Sequence, residues 1–160
     1  MCGIAGFALK GGFEAEAAAR AARAMADAII HRGPDGSGVW TDSQVGIAMA
    51  HRRLSIVDLS SAGAQPMVSA SGRYVISYNG EIYNHNDIRD ELRGGGFEWR
   101  GTSDTESLLA GIETWGLERT LKKAVGMFAF ALWDKEKREL SLARDRMGEK
   151  PLYYGCNNGR

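Results

Sequence analysis

The second residue of the chain is a cysteine, followed by the short apolar run GIAGF. A cysteine acts as a nucleophile through its thiolate, and a free thiol with a pKa of about 8.5 is only a few per cent ionised at neutral pH, so it needs a base. No histidine stands near Cys2 in the sequence. Removal of Met1, common when the next side chain is small, would give Cys2 its own α-amine. With a reference pKa of about 8, that amine is partly neutral near pH 7 and lies within reach of the sulfur. The base is then part of the nucleophile, which is possible only at an exposed chain start. Read without that chemistry, Cys2 is a small apolar residue opening a strand.

Four polar stretches interrupt the apolar segments further along: HRGPDGSG, HRRLSIVD, YNGEIYN and GTSDTE. Taken singly, each reads as local structure. Asn79-Gly80 is a strong hairpin dipeptide, Asp104 suits the first turn of a helix, and Arg53 is a surface cation. Cys156 is a free thiol, and two cysteines make no disulfide framework. The histidines, His31, His51 and His85, are scattered without ligand spacing, so they read as structural and no metal site is expected.

The elements that position these groups follow from periodicity. Residues 4–9 predict a buried strand. Ala18, Ala21, Met25 and Ile29 mark one face of a helix over 14–30. Val45, Ile47 and Met49 alternate with small residues as in a strand packed on one face, and RYVISYNG is another strand. A short helix follows, capped by Asn84, carrying Ile88 and Leu92, and ended by the glycines at 94–96. Strands are expected at Phe97–Trp99 and in PLYYG, and MFAFALWDKEKRELSLAR reads as a hairpin. SDTE at 103–106 has capping-box spacing, with Ser103 accepting from the Glu106 amide while Glu106 reaches back. Six or seven strands and two or three helices, grouped rather than alternating, favour antiparallel α+β layers.

At 160 residues the chain forms about one domain, able to bury roughly 70% of its unfolded surface. Its 20 basic residues balance 20 acidic ones, so no net field draws it to nucleic acid or a membrane surface. No apolar stretch approaches the roughly 20 residues that span a bilayer, and the start lacks the basic segment of a signal peptide. A cytoplasmic protein is expected, with a small molecule or another protein as partner. CNNGR at the end is turn-like and ought to lead into a return strand, so the domain is expected to be truncated at its C-terminal end.

Together, MCGIAGF, HRGPD, HRRLSIVD, YNGEIYN, SDTE, GMFAFALWD and RDRMGEKPLYYG, in that order along essentially the whole chain, resemble the glutaminase domain of glutamine-hydrolysing asparagine synthetases, which are class II (N-terminal nucleophile) amidotransferases. The resemblance implies a four-layer αββα sandwich of two antiparallel sheets. It implies that Cys2 attacks the side-chain amide of L-glutamine and that its own amine passes the proton to the departing ammonia. Asn79, by its side chain, and Gly80, by its N–H, would form the oxyanion hole, where one donor is worth about 3 to 4 kcal/mol. The glutamine zwitterion then needs a cation and an anion. Arg53 suits its carboxylate, and Asp104, helped by Glu81, suits its ammonium. The backbone of Ile56 and Val57 would line the same pocket, whereas Arg52 is assigned to the surface because adjacent strand residues face opposite ways.

The resemblance implies no metal or cofactor in this domain. ATP and magnesium belong to a C-terminal synthetase domain that would receive the ammonia, whose SGGxDS loop is absent from these residues. It leaves a homodimer open. Two other readings compete: an amidotransferase of surface polysaccharide biosynthesis acting on a sugar acid, and a catalytically silent partner-binding domain.

Overall fold

The computed structural model of the protein describes residues 1–55 and 60–156. Large and small residues alternate along strand β3 (Ile47–Arg53) and give it two different faces. Ala48 and Ala50 meet Ala22 and Ala26 of helix α1 (Ala15–Ala28), where small side chains let the helix lie close to the sheet. Ile47 and Met49 point the other way, against Val75 and Trp133 of a second sheet. The first sheet also contains β1 (Gly3–Ala8) and β2 (Gly36–Asp42), in the antiparallel order β1-β3-β2.

The second sheet runs β4 (Met67–Val68), β5 (Tyr74–Ile82), β6 (Gly126–Asp134) and β7 (Glu139–Arg144), all antiparallel neighbours. Helices α2 (His85–Leu92), α3 (Asp104–Trp115) and α4 (Leu117–Lys123) follow β5 and precede β6. On the outer face of this sheet Ile76, Ile82, Phe128 and Phe130 pack with Ile88, Leu92, Leu108, Leu109 and Ile112. Each of these buried side chains contributes about 2 kcal/mol by leaving water. The layers are α1, first sheet, second sheet, and α2 with α3 and α4. The fold is α+β with two antiparallel sheets between helices, as expected. Among the described residues two polar bonds join the facing sheets: His51 Nε2 to the Tyr78 carbonyl at 2.9 Å, and Ser77 Oγ donating to the Ala50 carbonyl at 3.1 Å. Beside β1 and the β6–β7 pair the sheets leave an apolar groove of about 430 Å³.

Several expectations are corrected. The buried stripe of α1 is Ala18, Ala22 and Ala26, while Ala21 and Met25 are exposed; the flat sheet surface selects the alanine row over the larger side chains. Among the described residues seven strands are present, within the expected six or seven, but they are not all the expected ones. Phe97 and Trp99 stack on each other at 5.8 Å in a crossing loop, with the Arg89 guanidinium over Trp99 at 4.1 Å. Residues 151–155 form no strand, and Tyr153 and Tyr154 are exposed. In their place stand β2, whose glycines hide it, and the two-residue β4. Gly38 in β2 is obligatory, since a Cβ there would lie 2.0 Å from the Gln65 carbonyl oxygen. Asn84 is the N-cap residue of α2, as expected, but its side chain makes no capping bond; it accepts from the Val125 N–H and donates to the Lys123 carbonyl, tying the start of α2 to the end of α4. Half of the capping box forms: Ser103 accepts from the Glu106 N–H at 3.2 Å. The Glu106 carboxylate instead accepts from the N–H groups of Arg100 and Gly101 and pairs with Arg89. Among the described residues no helix is long and apolar enough to cross a membrane.

Candidate active site

Cys2 immediately precedes β1 and lies at the end of β3, because Gly3 pairs with Arg52. Its Sγ accepts from the Leu54 N–H at 3.4 Å and lies 3.7 Å from the Leu54 carbonyl oxygen, and the Arg32 guanidinium donates to its carbonyl at 3.3 Å. The backbone on both sides of the sulfur is thus fixed, and a backbone N–H is already aimed at it.

Across from Cys2, β5 supplies the opposite wall. It pairs with β6 from Tyr74 to Ile82, but β4 covers only Val75 and Ile76 on the other side, so β5 has a free edge beyond that point. Residues at alternate positions of an antiparallel strand direct both backbone groups to the same edge. At that edge the Tyr78 N–H donates to Gln65 Oε1 at 2.7 Å, and the Ile82 N–H donates to Asp104 Oδ2 at 2.9 Å. The Gly80 N–H lies between these two and turns the same way, into the cleft. Asn79-Gly80 is therefore no turn: it lies within the strand. Glycine is required at position 80 because a Cβ would come 2.4 Å from the Met127 carbonyl oxygen. The Asn79 side chain shares the face of Ser77, toward the first sheet, and has no partner among the described residues.

Helix α3 presents Asp104 at its first residue. Its Oδ2 accepts from the Tyr78 hydroxyl at 2.8 Å as well as from Ile82, and its Oδ1 accepts from the Thr105 N–H at 2.9 Å. All three donors are neutral, so among the described residues no cation is paired with this buried side chain, which lines the cleft. Burial, followed by the Asp104 charge, pushes the Tyr78 phenol well above its usual range, so it remains a donor. Arg53 closes the rim, donating to the Ser60 carbonyl at 2.9 Å.

Cys2, Arg53, Asn79, Gly80, Glu81 and Asp104 all line one cleft of about 110 Å³, which Met1 also enters. Ile56 and Val57 lie outside the described residues. Arg52 is corrected: it does face away from Arg53, but that face is covered by α1 and the turn after it. Arg52 is buried there, its Nε donating to the Gly33 carbonyl at 3.1 Å and its guanidinium paired with Asp27.

Three residues of the cleft carried no signal as such in the sequence. Gln65 takes over where β4 stops: it accepts from Tyr78 and donates to Thr105 Oγ1, linking β5 to α3. Tyr78 orients Asp104. Lys150, in the quoted stretch RDRMGEKPLYYG, also lines the cleft.

A cysteine beside the chain start thus faces a strand-edge N–H across a cleft that also holds Arg53, Lys150, Glu81 and Asp104, an arrangement suited to addition at an amide carbonyl. In keeping with this, residues 1–160 match throughout the family described as glutamine amidotransferase domain, and the chain belongs to that family. Among proteins it resembles, a putative glutamine-hydrolysing asparagine synthetase of Mycobacterium bovis is 43% identical over 99% of this chain and 26% of its own length. Asparagine synthetase B of Escherichia coli is 45% identical over 78% of this chain and 22% of its own length. The amidase chry2 of Gibberella zeae is 36% identical over 100% of this chain and 25% of its own length. The chain thus spans about a quarter of the length of these relatives.

Proposed function

We propose that this chain hydrolyses L-glutamine to L-glutamate and ammonia, and that in the whole protein the ammonia serves an ATP-dependent amidation of asparagine synthetase type. The observation that carries the reading is the placement of Cys2, the Asn79 side chain and the Gly80 N–H around one cleft.

In the mature form, beginning at Cys2, the sulfur adds to the side-chain carbonyl carbon of glutamine while its proton passes to the Cys2 α-amine. The carbonyl oxygen becomes an oxyanion held by the Asn79 amide and the Gly80 N–H, donors whose positions the strand fixes in advance. On collapse the carbon–nitrogen bond breaks, the α-ammonium returns its proton to the leaving nitrogen, and ammonia departs from a thioester. Water then adds to the thioester, again giving a proton to the α-amine, and glutamate leaves as the thiol is restored.

Arg53 binds the substrate carboxylate, and Asp104 with Glu81 binds its ammonium. The Tyr78 and Ile82 donors keep Asp104 from rotating away. None of these steps uses a cofactor. ATP and magnesium are assigned to a C-terminal synthetase domain, the partner that receives the ammonia, and the names of the relatives support that arrangement.

The test is intact mass combined with a glutaminase assay. Chain beginning at Cys2 should release glutamate without ATP, and the glutamine analogue diazo-oxo-norleucine should add to Cys2. Full activity in chain that retains Met1, or labelling that survives Cys2→Ala, would refute the mechanism.

A further inference from the structure

Lys150 is only 4% exposed, yet it lines the cleft. Among the described residues its Nζ has a single partner, the thioether of Met127 at 2.8 Å. A buried ammonium facing only sulfur has lost its hydration without gaining a carboxylate or carbonyl, an arrangement that costs free energy unless an anion is delivered to it.

The placement is built into the fold. Asp145 accepts through Oδ2 from the N–H groups of both Lys150 and Phe128, at 2.9 and 3.2 Å, and through Oδ1 from Glu149 at 2.8 Å. Burial pushes its carboxyl up, but the backbone donors outweigh this and hold it below the usual carboxylate range. Phe128 is the cross-strand partner of Gly80, and Met127 that of Glu81. The loop carrying Lys150 is therefore anchored one strand away from the Gly80 N–H. The Met127 side chain, which holds the ammonium, shares a face with Asn79 and Glu81. Arg53, by contrast, lies across the cleft on the first sheet, bonded to Ser60.

We infer that the Lys150 ammonium is the fixed positive charge at the amide end of this cleft, stabilising the oxyanion formed when Cys2 adds to glutamine. The inference rests on the glutaminase reading above. It adds a charge to two neutral donors and gives the cleft two cations with separate tasks: Arg53 for the charge the substrate brings, and Lys150 for the charge that appears only in the transition state. Such a charge acts on kcat and leaves ground-state binding almost unchanged.

The experiment uses the full chain and Lys150→Met, which keeps the length and apolar stem of the side chain but removes its charge. Two quantities are read: steady-state glutamine hydrolysis, and inhibition by L-glutamate γ-semialdehyde, which adds to a thiol as a tetrahedral adduct. The inference predicts that kcat falls by about 10- to 100-fold with KM within about twofold. The aldehyde should lose affinity by a similar factor, inhibition by the product glutamate should weaken because its γ-carboxylate occupies the same end, and Lys150→Arg should recover part of the rate. Lys150→Gln gives the same readings if the methionine variant melts early. Unchanged kcat and aldehyde affinity in an active enzyme would overturn the inference alone, as would a raised KM at constant kcat. A wild-type chain that hydrolyses no glutamine would overturn the glutaminase reading itself.

Discussion

As the pH falls below neutrality, acid should loosen this fold first through His51. The imidazole is fully buried between the sheets, and burial, opposed by its bond to the Tyr78 carbonyl and reinforced by the nearby Arg53 charge, lowers its pKa from 6.5 to about 4. Protonation would place a hydrogen on Nδ1, which is buried and has no acceptor. Between pH 6.5 and 4 the unfolded chain therefore binds a proton that the folded chain refuses, so stability falls as the pH drops through that window. The loss amounts to about 2 kcal/mol at pH 5 and about 3 kcal/mol at pH 4 relative to pH 7. Urea unfolding followed by tryptophan fluorescence at several pH values measures it. The control is His51→Gln, whose side-chain amide can still donate to Tyr78 but does not titrate. The gap between wild type and variant should narrow or reverse on acidification by those amounts, and parallel pH curves for the two would refute the reasoning.

The two ends of the substrate should separate kinetically. Arg53→Ala should raise KM for glutamine strongly, by tenfold or more on the scale of a lost charged hydrogen bond, while Asn79→Ala should lower kcat by about 100-fold or more with less effect on KM; equal effects on both parameters in both variants would argue against these roles. Gly80→Ala should abolish turnover and lower stability by about 1 to 3 kcal/mol, because its methyl group meets the Met127 carbonyl at 2.4 Å. Calorimetry beside the activity assay checks both parts.

Grouped antiparallel strands were legible in the sequence, and the four layers came from the resemblance; Val45, Ile47 and Met49 were read as the single packed face of a strand, whereas both faces of β3 are packed, Ile47 and Met49 on the second sheet and Ala48 and Ala50 on α1. β2 was hidden by glycines that its close approach to Gln65 demands, and β4 is too short to have a period. The same contrast divides the site. Cys2, Arg53, Asn79, Gly80 and Asp104 stand in recognisable local words. Gln65 and Lys150 work through partners 13 and 23 residues away, a relation that neither propensity nor spacing records. Asn79-Gly80 misleads when read alone, since the same dipeptide that favours a tight turn also suits a strand edge where the neighbouring backbone leaves no room for a Cβ. Arg52 was misplaced for a related reason. Alternation gives the face a residue points to, but not whether that face is wet.

The two cross-sheet bonds, His51 to Tyr78 and Ser77 to Ala50, both run between β3 and β5. The sandwich is stitched along a single seam, and that seam borders the cleft. Where β1 approaches β6 and β7 the facing surfaces meet at an apolar groove, and among the described residues no side-chain hydrogen bond joins β1 to β6 or β7 there, so the sheets can part at that side without tearing one. Thermal breathing of the layers would then act like the opening of a book whose spine runs beside Asn79 and Gly80. The pages move, and the spacing at the spine stays fixed.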